Sequence, residues 1–138
     1  HQKPGLKQAK IGINDHPITF DDELYFSYQV ADNINVQTVI SDTDSTKGYV
    51  KSVFKGNELF TYSAVLENNI DYNALKSQDL IILKGINAIS TGMSQEFRKF
   101  IERGGSILVF PAAKHVDKDS YNAFLKKIGA DQLLKYFK

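Results

Sequence analysis

The sequence has no cysteine. That excludes disulfides, thiolate metal sites and cysteine nucleophiles together. No apolar run approaches the ~18 residues needed to cross a bilayer as a helix, and the first ten residues are polar and unlike a secretory leader. Charge of one sign is also missing: 17 basic and 16 acidic residues leave a net charge of +1. Nucleic-acid binders carry a basic excess, so no nucleic acid is expected as a partner. Histidine is confined to His1, His16 and His115. There is no internal repeat and no glycine-rich phosphate cradle, because Gly104-Gly105 falls where a helix should end rather than begin.

What is present suits an ordinary globular domain. The chain has 138 residues, 42% apolar and 24% charged, which argues for one main domain with a real core. Residues 1–32 read as a tail followed by a β extension. Lys10 to Ile13 is a short extended candidate. Leu24, Phe26, Tyr28 and Val30 alternate with Tyr25, Ser27 and Gln29, the period of a half-buried strand. The two are expected to pair as a hairpin.

From residue 33 onward, strands alternate with helices. Strands are expected at Ile34–Ile40, Glu58–Leu66, Asp79–Leu83 and Ser106–Phe110. Leu80-Ile81-Ile82-Leu83 is nearly pure apolar, as in an interior parallel strand. The polar cluster Ser41-Asp42-Thr43-Asp44-Ser45 would cap a helix carrying Tyr49, Val50, Val53 and Phe54 on one face, stopped by Gly56. A second helix, capped by Ser90, Thr91 or Ser94, puts Met93, Phe97, Phe100 and Ile101 on one face. Asp71–Leu75 supports at most a turn or two of helix. Asp119 or Ser120 opens the last helix, with Tyr121, Phe124, Leu125 and Ile128 inward. Right-handed crossovers then predict a three-layer, flavodoxin-like α/β fold with a parallel sheet of order 2-1-3-4. The tail Leu133-Leu134-Lys135-Tyr136-Phe137 is apolar enough to dock, which hints that the parent chain continues.

The run Asp79-Leu-Ile-Ile-Leu-Lys-Gly, with Ser90 and then Ser94-Gln-Glu-Phe-Arg-Lys-Phe-Ile-Glu-Arg-Gly-Gly-Ser-Ile-Leu-Val-Phe-Pro, is similar to the core of class I glutamine amidotransferase-like domains. Asp15-His-Pro-Ile-Thr-Phe-Asp-Asp-Glu-Leu-Tyr-Phe-Ser-Tyr, then Asn35-Val and Ser120-Tyr-Asn-Ala-Phe-Leu, resembles the extracytoplasmic region of BatA-like, aerotolerance-type membrane proteins. This resemblance spans about Ile11 to Leu134. It implies a periplasmic domain, anchored to the inner membrane through segments absent from this chain, with envelope proteins as partners. It also implies that Lys10–Val30 is the end of a preceding β domain. It supplies no reaction. The amidotransferase cysteine is missing and no Gly-x-Ser-x-Gly elbow replaces it. The expectation is therefore a non-catalytic interaction or scaffolding domain that needs no cofactor.

Two rival readings stay open. Asp42-Thr-Asp-Ser-Thr46 follows a strand at the sheet's carboxyl edge, where open α/β folds bind ligands. It resembles the first motif of haloacid-dehalogenase-type phosphatases, which would make Asp42 the nucleophile and Asp44 the acid/base, with Mg²⁺ neutralising the phosphate. The other reading of the same residues is a polar loop capping the next helix. A small-ligand or glycan site using Asp42, Asp44 and Thr46 is the third possibility. His115-x-Asp117-x-Asp119 has metal-ligand spacing, but Lys114 and Lys118 interleave and oppose a cation.

Overall fold

The computed structural model describes residues 3–13, 22–30, 32–41 and 48–131. The chain divides into two compact units, His1–Asn33 and Ile34–Lys138.

The first unit is a two-stranded antiparallel ribbon. Strand β1 (Gly5–Gly12) pairs with β2 (Glu23–Val30), Gly5 opposite Val30 and Gly12 opposite Glu23. The extended segment thus starts five residues earlier than the sequence reading places it, within what reads as a tail. Leu6 and Ala9 are scattered among Lys7, Gln8 and Lys10, so the hydrophobic contrast is weak, and cross-strand pairing rather than local pattern sets the length. Opposed residues share a face. One face therefore carries Lys7, Ala9, Ile11, Leu24, Phe26, Tyr28 and Val30, and the other carries Leu6, Gln8, Lys10, Glu23, Tyr25, Ser27 and Gln29. The alternation in β2 is as expected, but the strand is not half-buried: Leu24 is 63% exposed and Phe26 40%. A ribbon of two strands has no second layer of its own to cover an apolar face.

The second unit is an α/β fold with a flavodoxin-like layout. In chain order it runs β3 (Ile34–Ile40), α1 (Tyr49–Phe54), β4 (Phe60–Leu66), two 3₁₀ turns (Glu67–Asn69 and Ala74–Ser77), β5 (Leu80–Lys84), α2 (Thr91–Glu102), β6 (Ser106–Phe110) and α3 (Lys118–Lys127). All strand pairs are parallel and the spatial order is β4-β3-β5-β6, that is, 2-1-3-4.

The register assigns each strand residue to a face. Val39, Ile81, Leu83, Ile107 and Val109 share one face. They form a single core with Met93, Phe97 and Phe100 of α2 and with Tyr121 and Phe124 of α3. The opposite face carries Val36, Thr38, Ile40 and Ile82, all buried, together with Phe60 and Tyr62. There Phe54 of α1 stacks on Tyr62 at 5.6 Å and meets Phe60 edge-on at 5.2 Å. So α1 lies on one side of the sheet and α2 with α3 on the other. Right-handed crossovers force this arrangement when β3→β4 and β5→β6 step in opposite directions.

Helix α2 begins where Ser90 Oγ accepts from the Met93 amide at 3.2 Å. The 3.6-residue period then buries Met93, Phe97 and Phe100, each worth about 1.5–3 kcal/mol against exposure. Its exit is set by two glycines for different reasons. Gly104 adopts φ +94°, a left-handed cap. A Cβ on Gly105 would come within 2.3 Å of the Phe100 ring. The remaining helices depart from expectation. The Asp117 carboxylate, not Asp119 or Ser120, caps α3, accepting from the amides of both those residues. Helix α1 starts at Gly48 with no side-chain cap. Tyr49 and Val53 point to solvent, because a six-residue helix can turn only one edge, Val50 and Phe54, toward the sheet.

Candidate functional site

In an open α/β sheet, ligands meet the carboxyl ends of the strands where the strand order reverses. That point lies between β3 and β5 here. The first residue past β3 is Ser41, which is buried. Its amide donates to the Lys84 carbonyl of β5 at 3.3 Å, and its hydroxyl donates to Glu67 Oε1, just past β4, at 3.2 Å. Ser41 therefore ties three strand ends together. Its hydroxyl is engaged by a carboxylate in a structural clamp, an arrangement different from a nucleophile whose base is oriented by a third group.

The rest of this rim is equally knitted. Gly85, at φ +68°, donates to the Phe110 carbonyl at 2.9 Å. The buried Tyr121 hydroxyl of α3 donates to the Ile86 carbonyl at 2.8 Å. Ser120 Oγ accepts from the Ile89 amide at 3.1 Å, and the Asp117 amide donates to the Asn87 carbonyl at 2.8 Å. The loop after β5 is thus pinned to α3 along its length. Asp117 serves both the rim and the helix cap, which engages its carboxylate and removes it from the His115-x-Asp117-x-Asp119 metal spacing. His115 is exposed at φ 60°. Among the described residues no three His, Cys, Asp or Glu side chains converge on a metal position. Asp42, Asp44 and Thr46 lie outside the described residues.

The amino edge of the sheet holds a hollow of about 350 Å³, lined by Lys76, Gln78, Asp79, Arg103 and Gly104-Gly105. Asp79 is its anchor. Its carboxylate accepts from the Asn35 amide at 2.8 Å, its own amide donates to the Asn35 carbonyl at 2.9 Å, and its carbonyl accepts from the Ser106 amide at 3.0 Å. One residue so aligns β3, β5 and β6. The sequence marks Asp79 only as a strand start, since partners 44 and 27 residues away leave no local signal.

A chemically distinct surface lies on the ribbon. Its polar face is self-contained: Glu23 accepts from both Lys10 and Tyr25. The Lys10 ammonium, and then the Tyr25 hydroxyl, hold the Glu23 carboxyl below the usual carboxylate range. Glu23 in turn pushes the Tyr25 phenol up. The apolar face presents Ile11, Leu24, Phe26 and Tyr28, all exposed. They occupy neighbouring positions on the two strands. Comparison with protein-family models, with curated proteins and with solved structures finds no match to this chain.

Proposed function

We propose that this chain is a non-catalytic, protein-binding domain of a membrane-anchored bacterial envelope protein, placed on the periplasmic side. The observation that carries the reading is the amphipathic ribbon: one face is satisfied by its own ion pair, while Ile11, Leu24, Phe26 and Tyr28 stand exposed on the other. Water favours covering such a face, at about 25 cal/mol per Å² of apolar surface removed. The resemblance to BatA-like extracytoplasmic regions supports the location, and the strand-end hydroxyl and carboxylates at Ser41, Glu67 and Asp117 are engaged in holding the fold. On this reading the ribbon carries the binding surface, and Asp42, Asp44 and Thr46 take no part in a reaction.

The test uses a photo-crosslinking amino acid at Phe26 in the full-length parent protein in cells, with the same probe at exposed Glu102 of α2 as control. Reproducible crosslinks to a defined envelope protein from position 26, absent from 102, are expected. Mg²⁺-dependent hydrolysis of p-nitrophenyl phosphate by the purified chain, abolished by Asp42→Asn, would instead establish the phosphatase and overturn this reading.

A further inference from the structure

We propose that the polar face of the ribbon is a binding site for a neutral oligosaccharide, which stacks on the Tyr25 ring and hydrogen-bonds to Gln8 and Ser27. This stands apart from the function proposed above, which uses the opposite face.

A hollow of about 360 Å³ opens on the ribbon, lined by Gln8 and Ala9 of β1 and by Tyr25, Phe26 and Ser27 of β2. Small-molecule sites start at roughly 300 Å³. The register fixes the face on which the hollow lies. Gln8 is opposite Ser27, Ala9 opposite Phe26 and Lys10 opposite Tyr25. The neighbours of Ala9 and Phe26 on the apolar face are Lys7, Ile11, Leu24 and Tyr28, and none of these four lines it. The hollow therefore opens on the face of Gln8, Tyr25 and Ser27, with the backbone at Ala9 and Phe26 as its floor.

The chemistry of this face selects the ligand. Its charged residues, Lys10 and Glu23, close on each other as an ion pair. Neither an anion nor a cation is favoured, so the ligand is neutral. Gln8 and Ser27 are exposed and bring an amide and a hydroxyl to the hollow. Both groups donate and accept, as the hydroxyls of a sugar do. Tyr25 supplies the apolar part. It is 70% exposed, yet it is held in place, because its hydroxyl donates to Glu23 and the Lys10 ammonium lies 5.9 Å from the ring centroid. A ring fixed in advance loses little freedom when a ligand settles on it. A pyranose has a face of C–H groups and a rim of hydroxyls. The C–H face suits the negative face of an aromatic ring. Ser27 follows Tyr25 by two residues on the same strand, roughly 6.8 Å along it, so one sugar can touch both. A peptide with apolar side chains is better matched by the opposite face.

NMR titration of the intact chain with cellohexaose and with chitohexaose tests this. Each is carried to about 10 mM, enough to saturate a site with a Kd of about 1 mM. The expected result, with at least one of the two, is saturable shifts at the Gln8 side-chain amide, the Tyr25 ring and Ser27. Tyr25→Ala should weaken that binding by at least about tenfold, and Tyr25→Phe, which keeps the ring, by less than about threefold. Cross-strand contacts between Ala9 and Phe26 show that the ribbon persists in each variant. Should a Tyr25 variant lose them, Gln8→Ala takes its place, with a loss of at least about threefold expected. No saturable shift with either sugar overturns the proposal. So do shifts confined to Ile11, Leu24 and Tyr28, which place the sugar on the apolar face, and equal affinity in Tyr25→Ala and the unaltered chain.

Discussion

The ribbon and the α/β unit put the apolar residues of their strands to opposite ends. Ile81, Ile82 and Leu83 of β5 are buried on both faces of the sheet, whereas Leu24, Phe26 and Tyr28 of β2 remain exposed. Layers make much of the difference. Each strand in the parallel sheet is followed by a chain segment that returns over the sheet, and the intervening helices cover it. The ribbon has two strands and no helix among the described residues, and its apolar face stays exposed. An apolar strand marks a buried strand only where the topology brings something to bury it.

The most direct way to break this comparison is to delete one aromatic from each region. Phe97→Ala removes a fully buried ring from the α2 core and should cost about 3–5 kcal/mol in urea unfolding. Phe26→Ala should shift that same transition by less than about 0.5 kcal/mol. A comparable loss from both would mean that the ribbon is integral to the core transition.

Gly105→Ala probes the tightest contact in the α/β unit. The added methyl meets the Phe100 ring, and overpacking of this kind costs about 1–3 kcal/mol. Phe100→Leu in the same chain should recover part of the loss. Two independent, additive losses in a double-mutant cycle would disprove the steric cause.

Thr38 is the reverse case. It is buried in the central strand, with its hydroxyl oxygen lacking a hydrogen-bond partner. Thr38→Val keeps the shape and removes an unsatisfied group, so it should raise stability by about 1 kcal/mol. A loss of stability instead would place a buried water on that hydroxyl.

The smallest expected effect belongs to the ribbon. Because the folded state lowers the Glu23 pKa, the stabilising contribution of its contacts is present above the ordinary carboxylate range and is lost as pH falls through the lowered value. The Tyr25 pKa is raised, so its contribution holds below the ordinary phenol value and fades as pH climbs through the raised one. An NMR titration of the Tyr25 ring should follow Glu23 at acid pH and be damped by salt, since both groups are exposed. A ring signal unmoved by the acid titration would dissolve the proposed pair.

Much of the α/β unit is legible from local pattern. The run Ser106–Phe110 is the observed strand, and of the cap candidates Ser90, Thr91 and Ser94 the structure selects Ser90, whose hydroxyl accepts from the Met93 amide. The parallel sheet follows from alternating elements and crossover handedness, and its observed order 2-1-3-4 is the expected one. Local pattern fails where partners are remote. Asp117 outcompetes Asp119 and Ser120 as cap because its own amide is already held by Asn87, which aims its carboxylate at the helix start. Ser41, within a polar cluster that suggests capping or catalysis, instead reaches Glu67 just past the neighbouring strand. The candidate motif at Asp42, Asp44 and Thr46 was the sharpest chemical signal in the sequence, and it falls outside the described residues.

What the sequence by itself determined is the class of each segment: periods of 2 and 3.6 are written in consecutive residues, and so is the parallel order they imply. Only the tertiary structure decided which apolar faces are covered and which polar groups are already engaged. Burial and long-range hydrogen bonds depend on residues that meet across the fold, as Asp79 meets Asn35 and Ser106, and Tyr121 meets Ile86. Such meetings are set by the packing of layers, which no local stretch of chain encodes.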